Sequence, residues 1–304
     1  MPHGKLTKSA ALAALLLFTL CFSLSPTAAA GKPSGLVKPA DAASFLDDGY
    51  YSAEHKYNSL IRIIELNVAN AKKIPVLLYH HLERESKIRP EDRNYSSIIS
   101  VERFEEHMKF LQKGKFYTAT VAELEMYIKG EMILPEKTVV ITFDDGYKSN
   151  ASYAYPILKR LNFRAGIFMI TRLIGECGEK EFLDWNDMRR CGDVFTYHSH
   201  SHDLHKRREN GRTDFVMARP KDAIADLTLS AETINTSYFA YPHGQIGKNS
   251  EELLKIAGYR MAFGVTEAYA TRETDLFDVP RFIVTPQVKS DLFEAVCGGT
   301  YVGR

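Results

Sequence analysis

Cysteine is scarce in this chain, four in 304 residues, and Cys21 lies in an N-terminal stretch laid out as a removable leader. Cys177, Cys191 and Cys297 are odd in number, so they cannot all pair internally, and three thiols do not make a disulfide scaffold. A Cys177 to Cys191 bridge is one arrangement, and burial of free thiols as small hydrophobes is the other. A chain this long can bury a substantial core and needs no bridge for stability. Tryptophan is scarcer still, with Trp185 alone to line a groove or pack beneath a loop. Neither sign of charge dominates: 39 Lys and Arg face 38 Asp and Glu, a formal net charge of +1. That balance lacks the basic footprint of a nucleic-acid binder, so no nucleic acid is expected as partner. Beyond the leader there is no further long apolar run, no internal repeat and no heptad pattern, which argues against additional membrane spans, solenoids and coiled coils.

What is there begins with the leader. Lys5 and Lys8 precede an apolar stretch from Ala10 to about Leu24, and Ala28-Ala29-Ala30 follow. This is signal-peptide layout with cleavage near Ala30; an uncleaved anchor is the alternative. Leu20 before Cys21 argues against a lipoprotein signal. Losing Lys5 and Lys8 takes the formal charge from +1 to -1. The expected location is therefore outside the cytoplasm: periplasmic, associated with the cell envelope, or extracellular. Residues 31–73 read as a linker rich in Ala, Gly, Pro and Ser, followed by a helical extension over Tyr50 to Asn70 with a stripe of Leu60, Ile61, Ile63, Ile64 and Leu66. Residues 74–304 form one expected domain.

Within that domain short apolar runs alternate with helical periodicity. Strands are expected at Ile74 to Tyr79, Thr138 to Phe143, Arg164 to Ile170, Val194 to His198, Tyr238 to Tyr241, Tyr259 to Gly264 and Val279 to Val284. Helices are expected over Val101 to Leu111, Val121 to Tyr127, Asn150 to Leu161, Trp185 to Arg190, Lys221 to Asn235, Ser250 to Ala257 and Lys289 to Val296. Seven strands interleaved with helices give an α/β fold, a distorted (β/α)7 barrel with a parallel sheet.

The conspicuous polar residues fall at strand ends, where barrel active sites gather. Asp144 and Asp145 end the Thr138 run. Consecutive strand residues point to opposite faces, so both carboxylates serve one centre only if the backbone turns beneath them, and Gly146 makes that turn cheap. His198-Ser199-His200-Ser201-His202 offers imidazoles that share a face at i, i+4 on a helical turn or at i, i+2 in a strand, so spacing does not choose the ligands. With the carboxylates, the cluster suits a two-histidine, one-carboxylate metal site. Zinc is the favoured ion, with cobalt, nickel, manganese and iron allowed by the same donors.

These motifs resemble the polysaccharide deacetylase family, the NodB homology family or carbohydrate esterase family 4, over roughly residues 74–285. Thr142-Phe143-Asp144-Asp145-Gly146 is similar to its first motif, which implies Asp144 as base and Asp145 as metal ligand. The family's H-S/T-x-x-H motif laid on His198 to His202 implies His198 and His202 as ligands, with His200 between them, and Asp203-Leu204-His205 looks like the motif's continuation. Phe239-Ala240-Tyr241-Pro242-His243-Gly244 resembles the third motif as found in the branch of exported poly-N-acetylglucosamine deacetylases. It departs from the commoner form: Ala240 stands where an arginine normally holds the catalytic aspartate. Arg281 is the candidate replacement, since guanidinium forks pair two-to-two with carboxylates. The late histidine that usually acts as acid is missing, for no histidine follows His243. Tyr79-His80-His81 resembles a segment of the same branch and implies His80 as acid, with His243 second.

The resemblance implies a NodB-type barrel and metal-assisted hydrolysis of N-acetyl groups on an extracellular amino-sugar polymer such as poly-N-acetylglucosamine, a chitin-like glycan or peptidoglycan. The backbone N–H of His243 is expected at the oxyanion. The expected partner is N-acetylated polysaccharide, with peripheral envelope association compatible with the leader and no oligomeric state indicated. Alternatives are deacetylation of small N-acetylated sugars, O-acetyl esterase action, and noncatalytic carbohydrate binding.

Overall fold

The computed structural model describes residues 69–93 and 97–303. The expected leader, most of the 31–73 extension with its helix, and Cys21 lie outside the described residues.

Among the described residues ten strands form in chain order: β1 (Val76–Tyr79), β2 (His81–Glu83), β3 (Ile98–Ser100), β4 (Tyr117–Ala119), β5 (Thr138–Phe143), β6 (Ala165–Met169), β7 (Phe195–Ser199), β8 (Tyr238–Ala240), β9 (Met261–Phe263) and β10 (Phe282–Ile283). The main sheet is parallel throughout and runs β10-β1-β5-β6-β7-β8-β9, with β4 added beside the start of β5. A parallel bridge from Phe263 to Val279 joins β9 to the segment leading into β10, so the sheet curls until its ends meet. The architecture is the expected distorted (β/α)7 barrel of NodB type. β2 and β3 pair apart from it as a two-stranded parallel ribbon.

Among the described residues eight α-helices form: α1 (Val101–Lys113), α2 (Val121–Ile128), α3 (Tyr155–Arg160, preceded by a π turn over Asn150–Ala154), α4 (Trp185–Cys191), α5 (Asp214–Met217), α6 (Pro220–Ile234), α7 (Ser250–Ile256) and α8 (Ser290–Cys297). Side-chain caps set the starts of α1, α2 and α4. Ser100 accepts from the Arg103 N–H at α1, while Thr120 with Glu123, and Asp184 with Asp187, form reciprocal capping boxes at α2 and α4.

The period of two along each strand sorts the core into layers. Val76, Val140, Phe168, Ala240, Phe263 and Val279 point inward and meet Val121, Leu124 and Tyr127 of α2, which plugs one end of the barrel. Their odd or even neighbours Leu77, Ile141, Ile167 and Phe195 point outward and meet Phe104, Met108 and Leu111 of α1. Above the inner apolar layer the same inward direction is taken by polar residues, and these build the site. Cys177, Cys191 and Cys297 are all free; Cys177 is exposed and the other two are buried. Trp185 is partly buried against the outer core cluster.

Candidate metal and deacetylation site

His80, Asp144 and His200 are each the first residue beyond a strand, after β1, β5 and β7. The turn foreseen beneath the carboxylates is present: Asp145 has φ 72° and Gly146 φ 81°, two successive left-handed residues. A Cβ on Gly146 would lie 2.7 Å from Met169 Sδ, so glycine serves both the turn and the close packing.

Arg281, expected to orient Asp144, reaches it from just before β10. Its Nη1 donates to Asp144 Oδ1 at 2.7 Å and its Nη2 to Oδ2 at 2.9 Å, while Nε donates to the Gly264 carbonyl at 2.9 Å. The guanidinium is fully buried above the rings of Phe168 and Phe263. Burial pushes the Asp144 carboxyl up, but Arg281 and the nearby histidines outweigh it and hold the group below its ordinary range.

Asp145, His200 and His205 each offer a donor atom within 4.8 Å of the other two, the metal-capable trio among the described residues. His200 Nε2 stands 3.2 Å from His205 Nε2 and 3.7 Å from Asp145 Oδ1, and His205 Nε2 stands 3.3 Å from the same oxygen. His200 Nδ1 lies 2.8 Å from the Ala240 carbonyl, which can only accept, so the ring proton sits on Nδ1 and the Nε2 lone pair faces the trio. Asp145 Oδ1 is buried without a hydrogen-bond partner. Burial raises the Asp145 carboxyl, yet His205, His80 and His200 carry it down to about 2, so it is an anion at neutral pH. A converging set of lone pairs and one orphaned buried anion fits a divalent cation.

The structure corrects the ligand assignment of His198 and His202. His198 points inward like His200 but lies two residues, roughly 6.6 Å, deeper along β7. There its Nε2 meets Thr196 Oγ1 at 2.8 Å, its Nδ1 meets Thr236 Oγ1 at 3.2 Å, and Phe168 and Tyr238 cover the ring. Burial takes its pKa down to about 3. His202 follows Ser201, whose φ of 72° breaks both the strand alternation and the helical turn. Its ring leans to Thr171 Oγ1 at 3.0 Å, and Asp226 of α6 accepts the N–H groups of His202 and Asp203 at 2.8 and 2.7 Å. That reversal brings His205 back over the rim. The sequence signal for His200 and His205 was the strand boundary: β7 ends at Ser199, one residue later than the pattern suggests.

His80 is half-buried beside both aspartates, and its Nδ1 is buried with no hydrogen-bond partner. His243 has φ 53° and sets its ring 4.5 Å from that of His205. Partial burial, His205 and Arg207 push it below its usual range.

Residues 132–262 match the polysaccharide deacetylase family. That stretch of the chain is similar to polysaccharide deacetylases. The poly-beta-1,6-N-acetyl-D-glucosamine N-deacetylase of Staphylococcus aureus (strain MSSA476) is 26% identical over 261 residues, covering 82% of this chain and 85% of the relative. The structure of IcaB from Ammonifex degensii superposes with a TM-score of 0.65 at 25% identity, covering 76% of this chain and 100% of that one. The Streptococcus pyogenes deacetylase PplD shares the fold, with a TM-score of 0.65 at 21% identity over 75% of this chain and 99% of its own. The barrel of this chain places its adjacent carboxylate pair, two rim histidines and the Asp144-bound arginine on one mouth.

Proposed function

We propose that the protein is an exported, divalent-metal-dependent hydrolase that removes N-acetyl groups from an amino-sugar polymer of the poly-N-acetylglucosamine type. The observation that carries this reading is the inequality of the two adjacent carboxylates. Asp144 is locked two-to-two by Arg281, whereas Asp145 turns an unpaired oxygen toward two imidazoles. The polymer is suggested by the Staphylococcus aureus relative and by the extended similarity along it. Export rests on the charge and apolar pattern of residues 1–30.

Asp145, His200 and His205 would hold the cation, with zinc favoured by two nitrogens and one carboxylate oxygen. When bound, it supplies Lewis acidity toward the acetyl carbonyl and lowers the pKa of water. Asp144 then accepts a proton from the attacking water. Arg281 keeps Asp144 ionised and aimed, since a buried carboxylate without its guanidinium would tend to protonate. His80 donates a proton to the departing sugar nitrogen, its free Nδ1 being beside both aspartates. The His243 N–H is the expected oxyanion donor, in a loop turned by the left-handed His243 and Gly244.

The test is acetate release from β-1,6-linked N-acetylglucosamine oligomers, chitin oligomers, peptidoglycan and O-acetylated xylan, with metal analysis of the same samples. The expected result is release from the first, abolished by chelator and restored by zinc or cobalt. Asp144→Asn is expected to keep the metal and lose at least about 100-fold in turnover, the scale of a general base. Release only from O-acetylated xylan, or activity indifferent to chelator, would overturn the reading.

A further inference from the structure

A polar seam joins α6 to the stretch of chain between the two histidines of the metal-capable trio. Ala223, Leu227, Ser230 and Ile234 form the buried face of α6. Asp226 shares that face, three residues after Ala223 and four before Ser230. Ser230 Oγ lies 2.8 Å from Ser199 Oγ at the end of β7 and accepts from Thr171 Oγ1 at 3.2 Å. Thr171 Oγ1 in turn lies 3.0 Å from His202 Nδ1. One turn nearer the start of the helix, Asp226 Oδ1 accepts the His202 N–H at 2.8 Å and Oδ2 accepts the Asp203 N–H at 2.7 Å.

The two histidines of the trio are aimed by different means. His200 is held by the sheet: its N–H donates to the Met169 carbonyl at 2.8 Å, and its ring Nδ1 meets the Ala240 carbonyl at 2.8 Å. His205 follows beyond the left-handed Ser201, so its aim depends on the course of that reversal. Backbone donors of neighbouring segments take the carbonyls along it: the Thr171 N–H goes to Ser201 at 3.1 Å, the Arg172 N–H to His202 at 3.2 Å and the Phe215 N–H to Leu204 at 3.0 Å. The N–H groups of His202 and Asp203 go instead to one carboxylate. A single hydrogen bond would let that stretch swing about it, whereas two charge-assisted bonds to adjacent amides fix position and rotation together. Burial opposes an anion there and raises the Asp226 carboxyl, and the two N–H donors work against that rise.

Resting on the reading of Asp145, His200 and His205 as the ligands of the cation, we infer that Asp226 is a positioning residue for His205 and thereby sets the affinity of the metal site. Ligand distances in such a site hold to within about 0.2 Å. A reversal that relaxes by more than that weakens the site without removing a ligand.

The experiment measures zinc affinity by competition with a chromophoric chelator, and the visible spectrum of the cobalt-loaded protein, in wild type, Asp226→Ala, Asp226→Asn and Asp222→Ala. Urea denaturation of the metal-free proteins is followed alongside. Outer partners of metal ligands are worth about 10–100-fold in affinity, so Asp226→Ala is expected to weaken zinc binding at least about tenfold and to shift the cobalt bands. Asp226→Asn retains one acceptor oxygen, is expected to fall between, and reports on the role if Asp226→Ala fails to fold. Asp222, exposed on the same helix and paired with Arg219, is expected to leave zinc binding unchanged when replaced. A lowered urea midpoint in the Asp226 variants with unchanged zinc affinity and cobalt bands would make Asp226 a brace of the fold alone and overturn the inference. Equal weakening in Asp222→Ala would place the effect in the helix rather than the carboxylate and overturn it too. Undiminished zinc binding in His205→Ala would remove His205 from the site, and the inference with it. Zinc binding weakened in both His205→Ala and Asp226→Ala, with no acetate released from any glycan by wild type, would leave the positioning role standing and the deacetylation reading fallen.

Discussion

At the scale of the residue, the site works by giving like side chains unlike surroundings. Three histidines of one short segment show it: His198 is a satisfied interior group between two threonines, His202 braces a turn, and His200 keeps a lone pair facing an anion. His200→Ala and His205→Ala are therefore expected to lose bound metal, at least about tenfold in affinity, as judged by metal analysis after dialysis. His198→Ala should retain metal but lose roughly 2–4 kcal/mol of stability, because it opens a cavity and strands two hydroxyls. Metal loss in His198→Ala with retention in His200→Ala would return the ligand role to the deeper residue. Arg281 carries the same logic for charge. Arg281→Met leaves Asp144 buried without a partner, and breaking a buried pair from one side costs about 3–5 kcal/mol, readable as a shift in the urea midpoint.

At the scale of the element, the loops after the strands are held by backbone features that tolerate little change. The loop after β8 turns through His243 and Gly244, and a Cβ on Gly244 would sit 2.2 Å from Val265 Cγ2 at a φ of 67°. Gly211 has a similar φ of 77° with no atom within 4 Å of that Cβ position. Gly211→Ala should cost only the backbone term, about 1 kcal/mol. Gly244→Ala should add about 1–3 kcal/mol of overpacking and disturb the placement of His243. Equal denaturation midpoints for the two variants would contradict the contrast. The elements themselves were largely legible beforehand, because seven buried strands read as apolar runs and the helices as 3.6-residue stripes. β2, β3, β4 and α5 were not, since pieces of three or four residues carry too few positions to show a period.

At the scale of the whole molecule, buried neutral histidines couple folding to pH. Burial, with Arg103 adding to it, takes His107 of α1 down to about 3, and burial does the same to His198. Unfolded, both titrate near 6.5. Between these values the unfolded chain binds protons that the folded chain refuses, so stability rises with pH there and falls as pH drops from about 6.5 toward 3. Asp145, depressed to about 2, adds a loss of the same sign at still lower pH, from its unfolded value down through the folded one. His107 lies on the outer core, stacked on Phe293 at 3.8 Å and 3.1 Å from the Tyr79 hydroxyl. His107→Gln keeps a polar partner for Tyr79 and removes one titrating group. Its unfolding free energy, followed by urea denaturation from pH 7 to 4, is expected to fall less steeply than wild type by up to about 1.4 kcal/mol per pH unit. An identical slope would show that His107 is protonated in the folded state.

The sequence by itself determined the alternation of strands and helices and the carboxylate pair with its glycine turn, because periodicity and adjacent residue types are local properties, and its motifs resembled a family whose chemistry then became the expectation. It also marked Arg281 as the candidate for a place left empty at Ala240. Only the tertiary structure decided which histidines converge. That choice turned on one residue of strand length and on the left-handed Ser201, which lift His200 to the rim, leave His198 a layer below and carry His205 back across the mouth. Rim height in a curled sheet depends on where every strand stops relative to its neighbours, and no local pattern records that.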